Sequence, residues 1–213
     1  MAEQEFKDSN IEWIGVIPKS WEIMPNKYVM AQIKDIRPVY KGEQILSLSK
    51  KGVIVRDLEN PSGKMPKTFD GYQYVKRGNL LMCLFDIDVT PRCIGLIQND
   101  GLCSPAYSQF ALNERGYSPY YFYYYLNLDF EKELLHLAKN LRHSLTEEQL
   151  GNIPVPCPPI QEQKKIAKFL DTKCAEIDAI ILGKKSQLDT LAQYKQSLIY
   201  EYVTGKKAVP ANF

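Results

Sequence analysis

Between Pro158 and Thr204 the sequence places apolar residues in alternating steps of three and four. Ala167, Leu170, Cys174, Ile177, Ile181, Lys184, Leu188, Leu191, Lys195, Leu198 and Tyr202 follow in this order, and only the two lysines interrupt the apolar run. A seam of this kind makes helices supercoil left-handedly. At ~1.5 Å per residue the helix is about 65 Å long. A chain of 213 residues cannot cover such a rod along its whole length. The seam is therefore expected to meet another helix, most simply the same helix of a second copy.

The ends of this helix are marked. Pro154, Pro156, Pro158 and Pro159 hold the approach extended, since each proline drives the preceding residue out of the α region. Pro159 suits an early helical position, where a missing N–H costs nothing. Glu162 brings negative charge to the first turn, beside the positive end of the helix dipole. Gly183 costs roughly 1 kcal/mol relative to Ala inside a helix and marks a place for a bend or a split. Gly205 followed by Lys206 and Lys207 reads as the exit.

Residues 1–157 are expected to form one domain, 158–205 the rod, and 206–213 a polar tail. With 45% hydrophobic and 24% charged residues the chain can bury a real core. No apolar run is long enough to cross a bilayer, and Glu3 and Glu5 do not start a signal peptide. The five cysteines include no C-x-x-C pair and read as reduced thiols of a cytoplasmic protein without a metal cage. The net charge of +2 decides nothing by itself. Within residues 34–67, however, eight basic side chains face four acids. Such a basic face suits nucleic acid, with an ordinary solvated surface as the alternative.

The first domain reads as strand-rich, with six to eight short strands. Trp13 and Trp21 frame a Gly and a Pro, a pattern for an aromatic-anchored loop. Residues 44–49 and 53–55 form two strands joined by the basic turn Lys50-Lys51-Gly52. Residues 80–85 make an uninterrupted apolar strand, and Asn99-Asp100-Gly101 a hairpin-type turn after the strand at 93–97. Tyr120 to Leu126 is an aromatic helix expected in the core, base stacking being the alternative. Phe130 to Ala138 continues as an amphipathic helix, and Thr146 or Ser144 caps a third. Between these last two, residues 139–144 are basic and polar, suited to phosphate or to helix capping.

The inventory for catalysis is empty. There is no glycine-rich cofactor loop and no Walker-type Gly-rich loop with Lys-Ser/Thr. His136 and His143, the only histidines, have no Cys, Asp or Glu set that completes a triad or a zinc site. Asp86-Ile87-Asp88 is the one close acid pair, and it reads as a turn at a strand end rather than a metal site. The chain is read as a non-catalytic protein.

Five segments in order resemble the DNA specificity (S) subunits of type I restriction-modification systems. They are Trp13-Ile14-Gly15-Val16-Ile17-Pro18-x-x-Trp21, Gly101 to Tyr107, Leu150 to Pro156, Pro159-Ile160-Gln161-Glu162-Gln163-x-x-Ile166-Ala167-x-Phe169-Leu170-Asp171, and Leu198-Ile199-x-x-x-Val203-Thr204-Gly205-Lys206. The resemblance implies an α+β fold: a strand-rich target recognition domain with packed helices, then a long C-terminal coiled-coil helix. A usual member carries that pair twice and this chain carries it once, so the resemblance implies a half-length form, acting as a homodimer through antiparallel helices. Two such copies would read two inverted half-sites of double-stranded DNA. The resemblance also implies methyltransferase (M) and restriction (R) subunits as partners. Those subunits, not this chain, would hold S-adenosylmethionine, ATP and Mg.

The residues expected at DNA are Lys50, Lys51, Arg56, Lys64, Lys67, Arg92, Lys139, Arg142, His143 and Ser144. The lysines are expected at phosphates and Arg56, Arg92 and Arg142 at bases. The dimer seam is expected at Leu170, Cys174, Ile177, Ile181, Leu188, Leu191, Leu198 and Tyr202. Two other readings stand beside this one: a recognition subunit of a fused restriction-methyltransferase (type IIB-like), and a coiled-coil adaptor with no DNA role.

Overall fold

Leu80, Leu81 and Met82 form a strand without a polar side chain because both of its faces are covered. In the computed structural model, which describes residues 5–61, 63, 65–138 and 143–212, this strand is the eighth in chain order, β8 (Leu80–Met82). It lies inside an antiparallel sheet ordered β4 (Met30–Ile33), β11 (Ser108–Leu112), β8, β9 (Ile94–Leu96). Phe110 pairs with Leu80, and Leu80 with Leu96. Alternation along the strand sends Leu80 and Met82 into one core with Val29, Ile94 and Phe110. It sends Leu81 into a second core with Leu46, Val75, Ile97 and Cys103.

The first core is closed by α1 (Ser118–Phe130), α2 (Glu133–Leu137), α3 (Glu147–Asn152) and β12 (Pro154–Cys157), which pairs with β3 (Glu22–Pro25). The second core is closed by the hairpin β5 (Leu46–Ser49) and β6 (Gly52–Val55), and by β7 (Gln73–Val75) paired with β10 (Gly101–Cys103). A parallel bridge from Ile45 to Leu102 joins hairpin to pair. Buried Gln109 ties the layers: its Oε1 accepts from Lys76 N and Asn79 Nδ2, and its Nε2 donates to Tyr74 O. At the N-terminal end β1 (Phe6–Asp8) pairs with β2 (Val16–Pro18).

The tyrosine run is core. The hydroxyl of Tyr121 donates to Pro156 O at 3.0 Å and that of Tyr124 to Pro154 O at 3.2 Å, while Trp13 Nε1 donates to the Tyr124 oxygen. Prolines cannot donate into a ladder, so β12 is an edge whose carbonyls the tyrosines satisfy. Burial raises the Tyr124 hydroxyl to about 12, so these tyrosines stay neutral donors at any physiological pH.

Several expectations need correction. The described residues hold twelve strands, not six to eight; many have only three residues, too few to show a period. Asn99-Asp100-Gly101 does not close a hairpin, because β9 and β10 belong to different sheets. The amphipathic helix after Phe130 is broken: Lys132 takes φ 58° and α2 starts afresh at Glu133. Thr146, not Ser144, caps α3, in a reciprocal capping box with Gln149.

The fourth helix, α4 (Ile160–Val203), runs 44 residues without a break at Gly183. Gly205 at φ 72° follows its end as expected. The chain divides inside α4 into two units, Met1–Ala167 and Lys168–Phe213. In the first unit the opening turns of α4 are pinned. Gln163 is fully buried, with Nε2 donating to Arg115 O and Pro158 O and Oε1 accepting from Tyr117 N, all at 2.8 Å. Trp21 Nε1 donates to Glu162 Oε2 at 3.1 Å. Among the described residues of the second unit no side chain is buried. Cys174, Ile177, Ile181, Leu188 and Leu191 of the seam are exposed, and Leu170, Leu198 and Tyr202 half-buried. No helix of the described residues is long and apolar enough to cross a membrane.

Candidate nucleic-acid interface

The turn Lys50-Lys51 projects from the β5–β6 hairpin and is held from below. Gly95 on β9 has no side chain, and a Cβ there would lie 2.6 Å from Val53 Cγ2 and 2.8 Å from Leu48 Cδ1. The hairpin therefore lies directly on the central sheet. Arg92 fixes its tip: Nη1 donates to Lys50 O at 3.2 Å, Nε donates to Ile94 O at 3.0 Å, and the guanidinium lies 5.4 Å from the centre of the Phe122 ring. Burial lowers the Arg92 pKa, against the attraction of Asp129, yet arginine remains charged. Asp129, 2% exposed, also accepts from Cys93 N at 2.9 Å.

Between β8 and β9 the chain makes a loop over residues 83–93. Asp86 sits at φ 47°, and its carbonyl accepts from Val89 N and Thr90 N. Buried Ile87 anchors the loop and donates its N–H to His143 O. The Asp88 carboxylate meets His143 Nδ1 at 3.1 Å, and that hydrogen bond lowers the Asp88 pKa. Leu145 N donates to Leu84 O, so the segment after the second helix is stitched along the loop. A cleft of about 250 Å³ opens between loop and hairpin tip, lined by Lys50, Arg92, Thr90 and the stacked rings of Phe85 and Tyr107.

The structure thus brings Lys50, Lys51 and Arg92 to one flank of this loop and His143 to the other. Ser144 follows His143 and is half-buried. Arg56 begins the segment after β6, close enough to Tyr72 to act on its hydroxyl electrostatically. Lys67 is exposed, two residues before Phe69, whose ring packs edge-on against Tyr40 and Tyr72. Lys64, Lys139 and Arg142 lie outside the described residues. Reading the sequence missed Phe85, Asp86, Val89 and Tyr107 as members of this surface; the acid pair Asp86/Asp88 was the available signal, and a bare turn explained it equally well.

A cavity of about 620 Å³ lies elsewhere in the first unit, among Lys27, Gln32, Phe110, Glu147 and Glu148. Its two acids suit it poorly to phosphate. Among the described residues no group of three or more His, Cys, Asp or Glu could hold a metal ion. Burial raises the Cys103 thiol to about 12 and Cys93 further still, so neither is a nucleophile.

The chain thus combines a strand-rich α+β unit that carries a basic loop surface with a long helix whose apolar seam is exposed. The family model for the type I restriction modification DNA specificity domain matches residues 98–190. Over that segment the chain is similar to this domain. A putative type I restriction enzyme MjaX specificity subunit of Methanocaldococcus jannaschii is 30% identical over 95 residues, covering 43% of this chain and 21% of the relative. A solved chain from work on complex assembly and conformational transition of the type I R-M system superposes with TM-score 0.65 at 14% identity. It covers 92% of this chain and 48% of its own length. The HsdS subunit from Thermoanaerobacter tengcongensis gives TM-score 0.47 at 14% identity, over 82% of this chain and 41% of that one. The chain therefore spans less than half the length of each of these proteins.

Proposed function

We propose that the chain is a non-catalytic DNA specificity subunit of a type I restriction-modification system. The observation that carries this is the extent of the matched segment, which runs from β10 through most of α4. That segment joins the later part of the first unit to most of the seam-bearing helix. The first unit reads duplex DNA through the surface formed by Lys50, Lys51, Arg92 and His143. The seam of α4 pairs with the same seam in a second copy, running antiparallel, and two copies on a two-fold axis read a bipartite site with inverted half-sites. Methyltransferase and restriction subunits dock on this assembly and supply S-adenosylmethionine, ATP and Mg.

The exposed Ile177, Ile181, Leu188 and Leu191 support the pairing, since an apolar stripe of this length is costly in water. Band-shift and footprinting on randomised duplexes, with and without a methyltransferase subunit, test the DNA role. Selection of a two-part sequence with inverted halves is the expected result. Sedimentation of the chain alone tests the pairing, and a strict monomer at high concentration would refute it.

A further inference from the structure

The loop between β8 and β9 has an unusual charge order for a surface that faces DNA. Basic side chains flank it, Lys50 and Lys51 on one side and the His143 imidazole on the other, while Asp86 and Asp88 lie in the loop itself. Asp88 is committed to His143. Asp86 is exposed, and its carboxylate accepts no hydrogen bond among those the described residues make. A carboxylate repels phosphate, so between two phosphate-binding flanks it is compatible only with a base edge that donates. In the major groove the cytosine N4 amino group is such a donor. Three residues on, Val89 is 73% exposed. An apolar tip beside an acceptor matches the other feature the major groove offers, the thymine methyl.

The loop is also rigid enough to read. Two N–H groups close on the Asp86 carbonyl, Ile87 is buried at 1% exposure, and Cys93 at the far end is held by Asp129. Arg92 gives two of its five N–H donors to Lys50 O and Ile94 O, and so fixes hairpin against loop.

We infer that the Asp86–Thr90 turn enters the major groove of duplex DNA, with Asp86 accepting from a cytosine amino group and Val89 packing on a thymine methyl. Arg92 is a positioning residue for this element. The inference rests on the reading that the first unit binds duplex DNA, and the test separates the two. The full chain, with a methyltransferase subunit present, selects from a pool of randomised duplexes, alongside Asp86→Asn, Val89→Ala and the double variant Lys50→Ala/Lys51→Ala. Asn tolerates the left-handed backbone at residue 86, and matching thermal melts confirm that each variant is folded.

The lysine variant is expected to weaken binding to all duplexes alike, with a salt slope shallower by about two. Asp86→Asn is expected to keep affinity for unselected duplex and to exchange cytosine for adenine at one position, with discrimination there changed about tenfold. Val89→Ala is expected to relax a neighbouring thymine. Unchanged selected sequences in both loop variants, or a uniform loss over all sequences, would overturn the inference while leaving DNA binding intact. A wild-type chain that selects nothing would bring down the parent reading and the inference together.

Discussion

Arg92 Nη1 lies 3.2 Å from the carbonyl oxygen of Lys50, across 42 residues of sequence. That contact joins the tip of the basic hairpin to the root of the loop that enters β9. Arg92→Met keeps the stem and removes the donors. Hydrogen bonds from charged groups contribute ~1.5–3 kcal/mol each at most sites, and partial exposure here places the loss at the lower end. The expected signature is faster amide exchange at Lys50 to Gly52, with little change in α4.

Gly95 provides a harsher test of the same packing. Valine at this position would drive its side chain into Val53 and Leu48, both of which belong to the hairpin. Overpacking of this kind costs ~1–3 kcal/mol. A lowered urea midpoint with loss of DNA affinity is expected, since the Lys50-Lys51 turn rides on those two side chains.

Gln163 and Gln161 are two residues apart in the same motif and differ completely in surroundings. Gln163 is buried and makes three hydrogen bonds to backbone, whereas Gln161 is exposed. Gln163→Leu leaves a backbone N–H and two carbonyls without that partner, at ~1–3 kcal/mol for each group that stays dry. Gln161→Leu is expected to stay within ~0.5 kcal/mol of wild type. Chemical denaturation of the two variants checks the contrast.

Lys184 and Lys195 occupy core positions of the seam. A polar residue at such a position costs stability and fixes register. Lys184→Leu is therefore expected to tighten self-association about tenfold or more while admitting shifted registers, and Ile181→Asp to abolish it. Sedimentation velocity over a concentration series reads both.

The Asp88–His143 contact gives a dependence on acid. The hydrogen bond from His143 depresses the Asp88 carboxyl below its ordinary value of 3.8. A depressed carboxylate stabilises the fold above the unfolded-state pKa, and this contribution is lost as pH falls through the folded value. Exchange at Asp86 to Thr90 should therefore be flat from neutral pH to about 5 and rise below pH 4. His143→Ala should remove that acid step.

The sequence made some of this legible and hid the rest for physical reasons. The α4 seam could be read because a period of 3.5 persists from Ala167 to Tyr202, and the β5–β6 hairpin because Lys50-Lys51-Gly52 separates an alternating stretch at 44–49 from the β-branched Val53-Ile54-Val55. The switch of sheets between β9 and β10 could not, since Asn99-Asp100-Gly101 has the residues of a tight hairpin and only long-range pairing to Val75 decides otherwise. Gln163 looked like a surface residue of a polar helix start. Its burial depends on Arg115 and Tyr117, 48 and 46 residues away. The contact of Arg92 with Lys50 O is likewise invisible without the fold, since 42 residues separate the two.

Beyond Ala167 the long helix has no buried side chain. An isolated helix with this little Ala-rich sequence is only marginally ordered in water, and tertiary or intermolecular packing supplies the remainder. For two like strands that pair, ordering is a second-order process, so heat tolerance of the rod climbs with the amount of protein present. Under the proposed pairing, expression level becomes a control on the assembly, with sparse copies single and abundant ones zipped together.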